Sequence, residues 1–419
     1  MLSSRVSVRG LQCLKHFRNF SSTPRAQLED VYIVGAARTA TAKFLGSFKD
    51  TPAPVLASHA IRAALTRSSL PQSLPTHVYL GNVLSAGLGQ SPARQATIFS
   101  GLPETCEATT INKVCASGLK SVSLAAAEIQ LGHTSCAIGG GMENMSLVPR
   151  YLSRSPPGYG HIQAEDGVVK DGLWDVYNSV AMGNCAENTA KKLNITRQDQ
   201  DEYTVESYRR AKAAWDAGLF EEEIAAVEIP QRKGPAVVVK EDEEYNAINV
   251  SKIATLKPVF IKDGGTITAA NASTLSDGAS AVVLSSKSLV EERSLQKTRV
   301  FARIVSTADA ATHPIDFPLA PTLAIPLALK RAGLEITDIA RFEINEAFAA
   351  VSVANEKVLG LDRSKVNVNG GAVALGHALG SSGSRILVSL LYGLREGEFG
   401  VAGICNGGGG ATAMVVQKL

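Results

Sequence analysis

TTINKVCASGLKSVSLAAAEIQLG, Thr109–Gly132, joins the end of a strand to a helix of small residues, and a single cysteine stands at the junction. From Ala116 onward the apolar residues Leu119, Val122, Leu124 and Ala127 recur at helical spacing. That places Cys115 at a helix N-terminus, where unpaired amides and the helix dipole favour an anion. A thiol so placed can lose its proton near neutral pH and act as a nucleophile. Packing is the other role open to it, since free cysteines are among the most buried residues.

Working outward, the stretch runs into SCAIGGGMENMS, Ser135–Ser146, a buried strand leaving through consecutive glycines. A second copy of the plan closes the chain. Gly118-Leu119-Lys120-Ser121 begins a helix that leads through Gly132 to AIGGGMENMS, and Gly383-Ser384-Arg385-Ile386 begins one that leads through Gly397 to GICNGGGGAT. This is an internal repeat. Two copies packed back to back predict a layered α/β structure with pseudo-two-fold symmetry and catalytic groups meeting between the halves.

The remaining elements follow in order. VYIVGAART (Val31–Thr39) and HVYLG (His77–Gly81) read as strands, Ala53–Leu65 and Ala93–Ser100 as helices. From about Pro149 turn residues and then a charged helical region, Ala186–Trp215, predict an inserted domain, including an acidic run, Lys240–Asn246, that reads as a solvated turn. Strand character returns at Thr274–Ser286, so the first half is discontinuous. The expected division is a presequence over 1–28, an N-terminal half over 29–149 plus 270–290, an inserted domain over 150–269, and a C-terminal half over 291–419. In the last of these, Asn345-Glu346-Ala347-Phe348 is expected to open a helix, with Asn345 able to serve as its N-cap.

Composition bounds the class. A chain of 419 residues exceeds one ordinary core, and 45% hydrophobic with 19% charged residues suits a globular enzyme. No run is apolar enough to span a bilayer, so no membrane is expected. The first 28 residues carry Arg5, Arg9, Lys15, Arg18 and Arg25 with no acid before Glu29, and Val6, Leu11, Leu14 and Phe17 form a helical stripe. That pattern is a mitochondrial presequence, giving a matrix location. Removing its five positive charges takes the formal net charge from +3 to −2, and no nucleic acid is expected as a partner. The 6 cysteines show no metal spacing and no secretory context, so reduced thiols are expected.

The blocks NKVCASGLK around Cys115, GGMENMS, Asn345-Glu-Ala-Phe348, NGGAVALGH through His377 and GICNGGGGA around Cys405 together resemble the thiolase family, in its short-chain branch acting on acetoacetyl-CoA. The resemblance covers nearly the whole chain after the presequence. It implies a five-layered α/β/α/β/α fold of two repeated halves with an inserted loop domain that binds CoA. It further implies reversible condensation of two acetyl-CoA to acetoacetyl-CoA and CoA, with 2-methylacetoacetyl-CoA as a further substrate of that branch.

By the same resemblance Cys115 is the acyl acceptor, His377 takes its proton, and Cys405 is the second acid and base at the α-carbon. Two oxyanion holes are implied, one from His377 and a water held by Asn345, the other from the amides of Cys115 and Gly407. Met182, Tyr208, Lys252 and Ser273 match CoA-contact positions. Tyr208, with the carbonyls of Ala269, Ala270, Ala272 and Val373, matches a potassium site, and the branch forms homotetramers. No covalently bound cofactor is implied. Three departures from the family pattern stand out: Ala181 in place of a histidine near the pantetheine channel, Ala247-Ile248-Asn249 in place of Arg-Val-Asp near the adenine, and Ala378 in place of proline. They predict altered substrate affinity, weaker CoA binding and a looser backbone beside His377.

Overall fold

Long buried strands and small-residue helices set the architecture, which a computed structural model describes for residues 28–154 and 158–419. The presequence expectation falls, but for its last residue, outside the described residues. The strands that matter are β1 (Val31–Thr39), β2 (His77–Gly81), β3 (Glu107–Ile111), β4 (Cys136–Asn144), β5 (Ser276–Ser286), β6 (Ala302–Ala311), β7 (Ile339–Ile344), β8 (Phe399–Asn406) and β9 (Gly410–Lys418). They hydrogen-bond in the order β7-β8-β9-β6-β1-β5-β4-β2-β3 within an 11-stranded sheet.

That order is nearly a palindrome about the β6/β1 junction. β5, β4 and β2 lie outward of β1 as β9, β8 and β7 lie outward of β6, and Val366 bridges Phe342 of β7 as β3 pairs with β2. The junction itself is slight, Tyr32 opposite Arg303 and Ile33 opposite Ala302. Register shifts at Ile33/Gly35 and Ile304/Ser306 stand at matching places in the two strands. Bulges increase local twist, so each half-sheet curls around what lies between them.

Between them lie the two repeat helices, α3 (Ser117–Gln130) and, after α1 (Ala53–Ser68), α2 (Pro92–Phe99), α4 (Met182–Lys192), α5 (Arg197–Asp216), α6 (Pro321–Ala332) and α7 (Ala349–Leu359), the last helix α8 (Leu379–Gly393). Side chains alternate across a strand, and β1 shows it: Ile33 and Ala36 pack with Leu119 and Val122 of α3 and Ile386 of α8, whereas Val34 and Ala37 pack with Leu56 and Ile61 of α1. In the other half Met414 and Val416 face the central helices, while Val415 joins Ile325 and Ala328 of α6. The layers are therefore helix, half-sheet, central helix pair, half-sheet, helix, as the family resemblance implies.

The central pair meets at the repeated glycines. A Cβ on Gly118 would lie 2.7 Å from Ser384 Oγ, and one on Gly383 2.6 Å from the Leu119 nitrogen, distances no real Cβ adopts. Glycine there lets the two halves close on each other.

One local expectation is sharpened and one corrected. The charged helical region is two helices, because Asn194 takes φ +51° after α4 and Thr196 with Asp199 forms a capping box that starts α5 anew. The acidic run is not a solvated turn. Asp242 is buried, takes a bidentate pair from Arg38 at 2.7 and 2.9 Å, and accepts from Trp215 Nε1 at 3.2 Å, while Arg38 Nε also meets Glu223 at 2.5 Å. The segment that follows α5 also gives the sheet a short strand, Ile224–Ala225, parallel to the end of β1.

Candidate active site

Cys115 sits in the turn between β3 and α3, and that turn is strained and tied down. Val114, a β-branched residue, takes φ +48°, a left-handed conformation that costs on the order of 1–3 kcal/mol. Asn112 Oδ1 accepts from the Val114 amide at 2.9 Å, and Ser117 Oγ accepts from the Lys113 amide at 2.8 Å while donating to the Val114 carbonyl at 2.6 Å. Lys113 Nζ then reaches Asp309, the Ala411 carbonyl and Thr412 Oγ1, and Lys120 Nζ meets Asp309 at 2.6 Å. The C-terminal half thus holds the turn that carries Cys115.

The thiol is buried, and burial pushes it up to about 12, against the opposing pull of the Gly407 amide and its own. The expectation of a thiol ionised near neutral pH by its helix is therefore corrected. The helix begins at Ser117 with Ala116 as its N-cap, and desolvation at Cys115 outweighs what those amides supply. The two amides that do reach the sulfur are those of Cys115 and Gly407, the pair the family resemblance assigns to an oxyanion hole.

His377 faces the same cavity. Its Nδ1 lies 2.6 Å from Ser382 Oγ, and that hydroxyl donates to the Ala378 carbonyl at 3.0 Å. Ser382 must then accept from Nδ1–H, which assigns the tautomer and leaves Nε2 as a lone-pair acceptor. Nε2 is buried without a partner among the described residues. Burial, aided by the Arg385 charge, pushes the imidazole down to about 3, so thiol and ring are both neutral at rest.

Cys405 and Asn345 come from the carboxyl ends of β8 and β7, neighbouring parallel strands. Cys405 is fully buried, and its thiol is raised by burial and then by the nearby Cys115 sulfur. Asn345 is fully buried, and among the described residues neither its Nδ2 nor its Oδ1 is satisfied, a costly state that a bound water or substrate atom relieves. It caps no helix: α7 starts at Ala349 with Phe348 as N-cap, and Asn345–Phe348 is the loop before it. That loop is fixed by Glu346, which accepts from Tyr203 at 2.8 Å, Asn367 at 2.9 Å, Ser207 at 2.8 Å and the Val373 amide at 3.0 Å.

The cavity measures about 260 Å³ and is lined mainly by apolar side chains, among them Met145, Leu173, Met182, Phe260, Phe317, Phe348 and Leu379, with Cys115 and His377. Ala181, Ala272 and Ser273 also line it, and Ser273 Oγ donates to the Ala347 carbonyl at 2.8 Å. Tyr208 lies elsewhere, buried against Val373 and Ala374, its hydroxyl 3.5 Å from Glu244. Lys252, on the short helix Val250–Ile253, is exposed and not part of the cavity wall. The structure therefore brings Cys115, His377, Met182, Ala272 and Ser273 onto one cavity, and sets Tyr208 and Lys252 apart from it. Among the described residues no group of three or more His, Cys, Asp or Glu could hold a metal ion.

Sequence reasoning missed three contributors. Ser382 had no local signal beyond lying five residues after His377. Val114 had none, since a left-handed valine is not readable from composition. Glu143 was visible as an acid inside an otherwise apolar buried strand. Its carboxylate accepts from Asn82 Nδ2 at 2.7 Å and from the amides of Val83, Leu84 and Gly380 at 3.0, 3.1 and 2.9 Å, pinning the start of α8 to the first half.

Comparison with known proteins fits this arrangement. The model of the thiolase N-terminal domain matches residues 31–288 and that of the thiolase C-terminal domain residues 298–418. The chain is 57% identical to a mitochondrial acetyl-CoA acetyltransferase of Gibberella zeae, over 96% of this chain and 94% of that one. It is 52% identical to the mitochondrial acetyl-CoA acetyltransferase of Rattus norvegicus, over 99% and 97%. Among solved structures, the Acat5 thiolase of Ascaris suum in complex with coenzyme A superposes with a TM-score of 0.89 at 45% identity, covering 93% of this chain and all of that one. The acetyl-CoA acetyltransferase of Bacillus anthracis gives 0.90 at 36% identity, covering 94% and 100%. With the repeat, the layers and the paired thiols all in place, the chain belongs to the thiolase family.

Proposed function

We propose that this chain is a mitochondrial matrix acetyl-CoA acetyltransferase that condenses two acetyl-CoA to acetoacetyl-CoA and CoA and runs the thiolytic cleavage in reverse. The observation that carries the reading is the pairing, on one largely apolar cavity, of a buried thiol with an imidazole whose Nε2 has no partner among the described residues. As Cys115 Sγ attacks an acetyl thioester, Nε2 of His377 takes the thiol proton and then passes it to the departing CoA sulfur. The acetyl oxygen, negative in the transition state, rests on the amides of Cys115 and Gly407. A second acetyl-CoA sets its thioester oxygen against a water held by Asn345, whose unsatisfied amide suits that task, and against Nε2 of His377, which donates there once it has taken the Cys405 thiol proton. The Cys405 thiolate removes the α-proton, the carbanion attacks the acetyl carbon, and the Cys115 Sγ–C bond breaks, the departing thiolate recovering its proton from Nε2. In cleavage Cys405 returns that proton. Burial of both thiols is an asset here, since a dry site strengthens each of these dipoles.

CoA contacts are assigned to Met182, Ser273, Tyr208 and Lys252, the last two serving the outer, nucleotide end of the ligand. The potassium assignment uses Tyr208 with the carbonyls of Ala269, Ala270, Ala272 and Val373. An all-oxygen, hard donor set suits an alkali cation, and Tyr208 and Val373 share one buried cluster. When bound, the ion would stiffen the turn that carries Ser273. Rates in potassium and sodium salts at equal ionic strength check it. The division of the chain into 29–149 plus 270–290, 150–269 and 291–419, and a homotetrameric assembly, complete the proposal. Assay of acetoacetyl-CoA against a C8 to C16 series of 3-ketoacyl-CoA tests the function: preference for acetoacetyl-CoA is expected, with 2-methylacetoacetyl-CoA accepted. Preference for the long chains contradicts it.

A further inference from the structure

Behind His377 lies a second, much smaller cavity. The ring itself lines the large one, whereas its neighbours Gly376 and Ala378 wall a space of about 10 Å³ that is also lined by Ser381, Ser382 and Arg385 of α8 and by Thr41 beyond the end of β1. Every residue of that wall is buried. Ser381 and Ser382 precede Arg385 by four and three residues, so the helix turns all three toward one side. A space of this size holds one water and nothing larger.

Arg385 is 5% exposed, and neither Nη1 nor Nη2 has a partner among the described residues. A guanidinium is always charged and carries only donors, so burying two of its nitrogens unmatched is costly. The acids around it do not relieve this. Glu343 of β7, Glu223 and Glu346 act on it only through their charge, with Arg38 opposing them. Burial pushes Glu343 up to about 8, which leaves it protonated at neutral pH. Glu223 is taken by Arg38 and Ser389, and Glu346 by Tyr203, Ser207 and Asn367. Ser382 is incomplete in the opposite sense. Its hydroxyl donates to the Ala378 carbonyl and accepts from His377 Nδ1–H, which leaves one lone pair unused. Orphaned donors and a spare acceptor thus border one cavity the size of a water.

We propose that this cavity is a water site, its water accepting from Arg385 and donating to Ser382 Oγ, and that Arg385 acts through it as a positioning residue for His377. A water so held has two partners, and Thr41, on the same wall, offers a third. The link braces Ser382 from behind, so the hydroxyl keeps a lone pair on Nδ1–H and Nε2 stays the acceptor. The charge beyond the link acts as well. When Nε2 takes the thiol proton the ring becomes a cation, and burial and then the fixed Arg385 charge both disfavour that state. The proton is therefore held briefly and passed to the departing CoA sulfur, rather than kept in a resting pair of thiolate and imidazolium. The inference rests on the acyl-transfer reading of Cys115 and His377, to which it adds a residue that touches no substrate.

Two substitutions separate the water from the charge. Gly278 lines the small cavity, and a Cβ there would lie 3.4 Å from the Ala40 carbonyl, 3.5 Å from Thr39 Oγ1 and 3.8 Å from Ala378 Cβ, all ordinary contacts. Gly278→Ala therefore puts a methyl where the water would sit, and is expected to lower kcat about tenfold with KM within about twofold. Filling an inert void would leave kcat unchanged, and that result overturns the proposal alone. Arg385→Gln keeps donors and removes the charge. It is expected to raise the rate at which iodoacetamide alkylates Cys115 at neutral pH about tenfold, read by peptide mass analysis, with the buried Cys136 and Cys185 still unreacted. An unchanged rate, or all the buried cysteines reacting together as loss of a purely structural arginine would give, overturns the positioning role. A high-resolution crystal structure of the full chain is expected to show one water within hydrogen-bond distance of Arg385 and Ser382, and a dry cavity or an anion there overturns the link. Failure of the wild type to take an acetyl group onto Cys115 from acetyl-CoA overturns the acyl-transfer reading and this proposal with it.

Discussion

At the scale of single residues the site depends on keeping two groups neutral until substrate arrives. His377 is pushed down to about 3 by burial, so its protonation is not what limits the free enzyme at ordinary pH. The pH profile of kcat/KM is expected to show no acidic limb near pH ~6.5, the value of a free imidazole. A limb there would mean that the ring titrates normally. The same shift has a consequence for folding. The unfolded imidazole gains its proton near pH ~6.5 and the folded one only near 3, so stability is held above pH ~6.5 and is lost as pH falls from there toward 3. Ser382 acts through His377 by fixing its tautomer. Ser382→Ala strips the Nδ1–H of its acceptor, an error of about 1–3 kcal/mol, and is expected to lower kcat by roughly ten- to a hundredfold with little change in KM. Steady-state kinetics on acetoacetyl-CoA measures both numbers, and an unchanged kcat would remove Ser382 from the account.

At the scale of elements, the start of α8 links the two halves of the chemistry. Ala378 stands there with φ −76°, near the angle a proline ring imposes, and its N–H makes no hydrogen bond among the described residues. The backbone beside His377 is thus already in the shape a proline would enforce, held by Ser382 and Ser381 bonding to the Ala378 carbonyl. Ala378→Pro is expected to stabilise the fold by about 0.4–1 kcal/mol through the unfolded chain, read as a rise in the midpoint of chemical denaturation with kcat preserved. A drop in that midpoint would show strain the angle does not reveal. Elements of this kind were largely legible in the sequence: the repeat of α3 and α8, the glycine-rich β4 and the turn at Cys115 each rest on local pattern. What escaped was non-local. The acidic run around Asp242 reads as solvated because its partner, Arg38, lies 204 residues away, and the strand Ile224–Ala225 is defined only by the edge of β1 beside it. Asn345 as a helix cap failed for a different reason, a loop of four residues inserted between strand and helix to hold a buried amide.

At the scale of the molecule, one buried cluster fastens the segment after α5 to the sheet. Arg38 of β1 is fully buried between Glu223 and Asp242, over the Phe220 ring at 5.1 Å. Removing one member of such a set leaves uncompensated charge, so Arg38→Ala is expected to cost about 3–5 kcal/mol in chemical denaturation, with loss of CoA affinity accompanying it. A cost below 1 kcal/mol would mean that the cluster is not what joins the two parts. Cys115 depends on the whole molecule in the same sense. Its turn is held by Asp309 and Thr412, the imidazole proposed as its proton acceptor comes from the loop before α8, and its partner amide from Gly407. Incubation with acetyl-CoA labelled in the acetyl group, followed by rapid acid quench, proteolysis and peptide mass analysis, tests this most directly. One acetyl group on the peptide containing Cys115, chased off by added CoA and absent in Cys115→Ala, is the result predicted; label on the Cys405 peptide instead, or on neither, would contradict it.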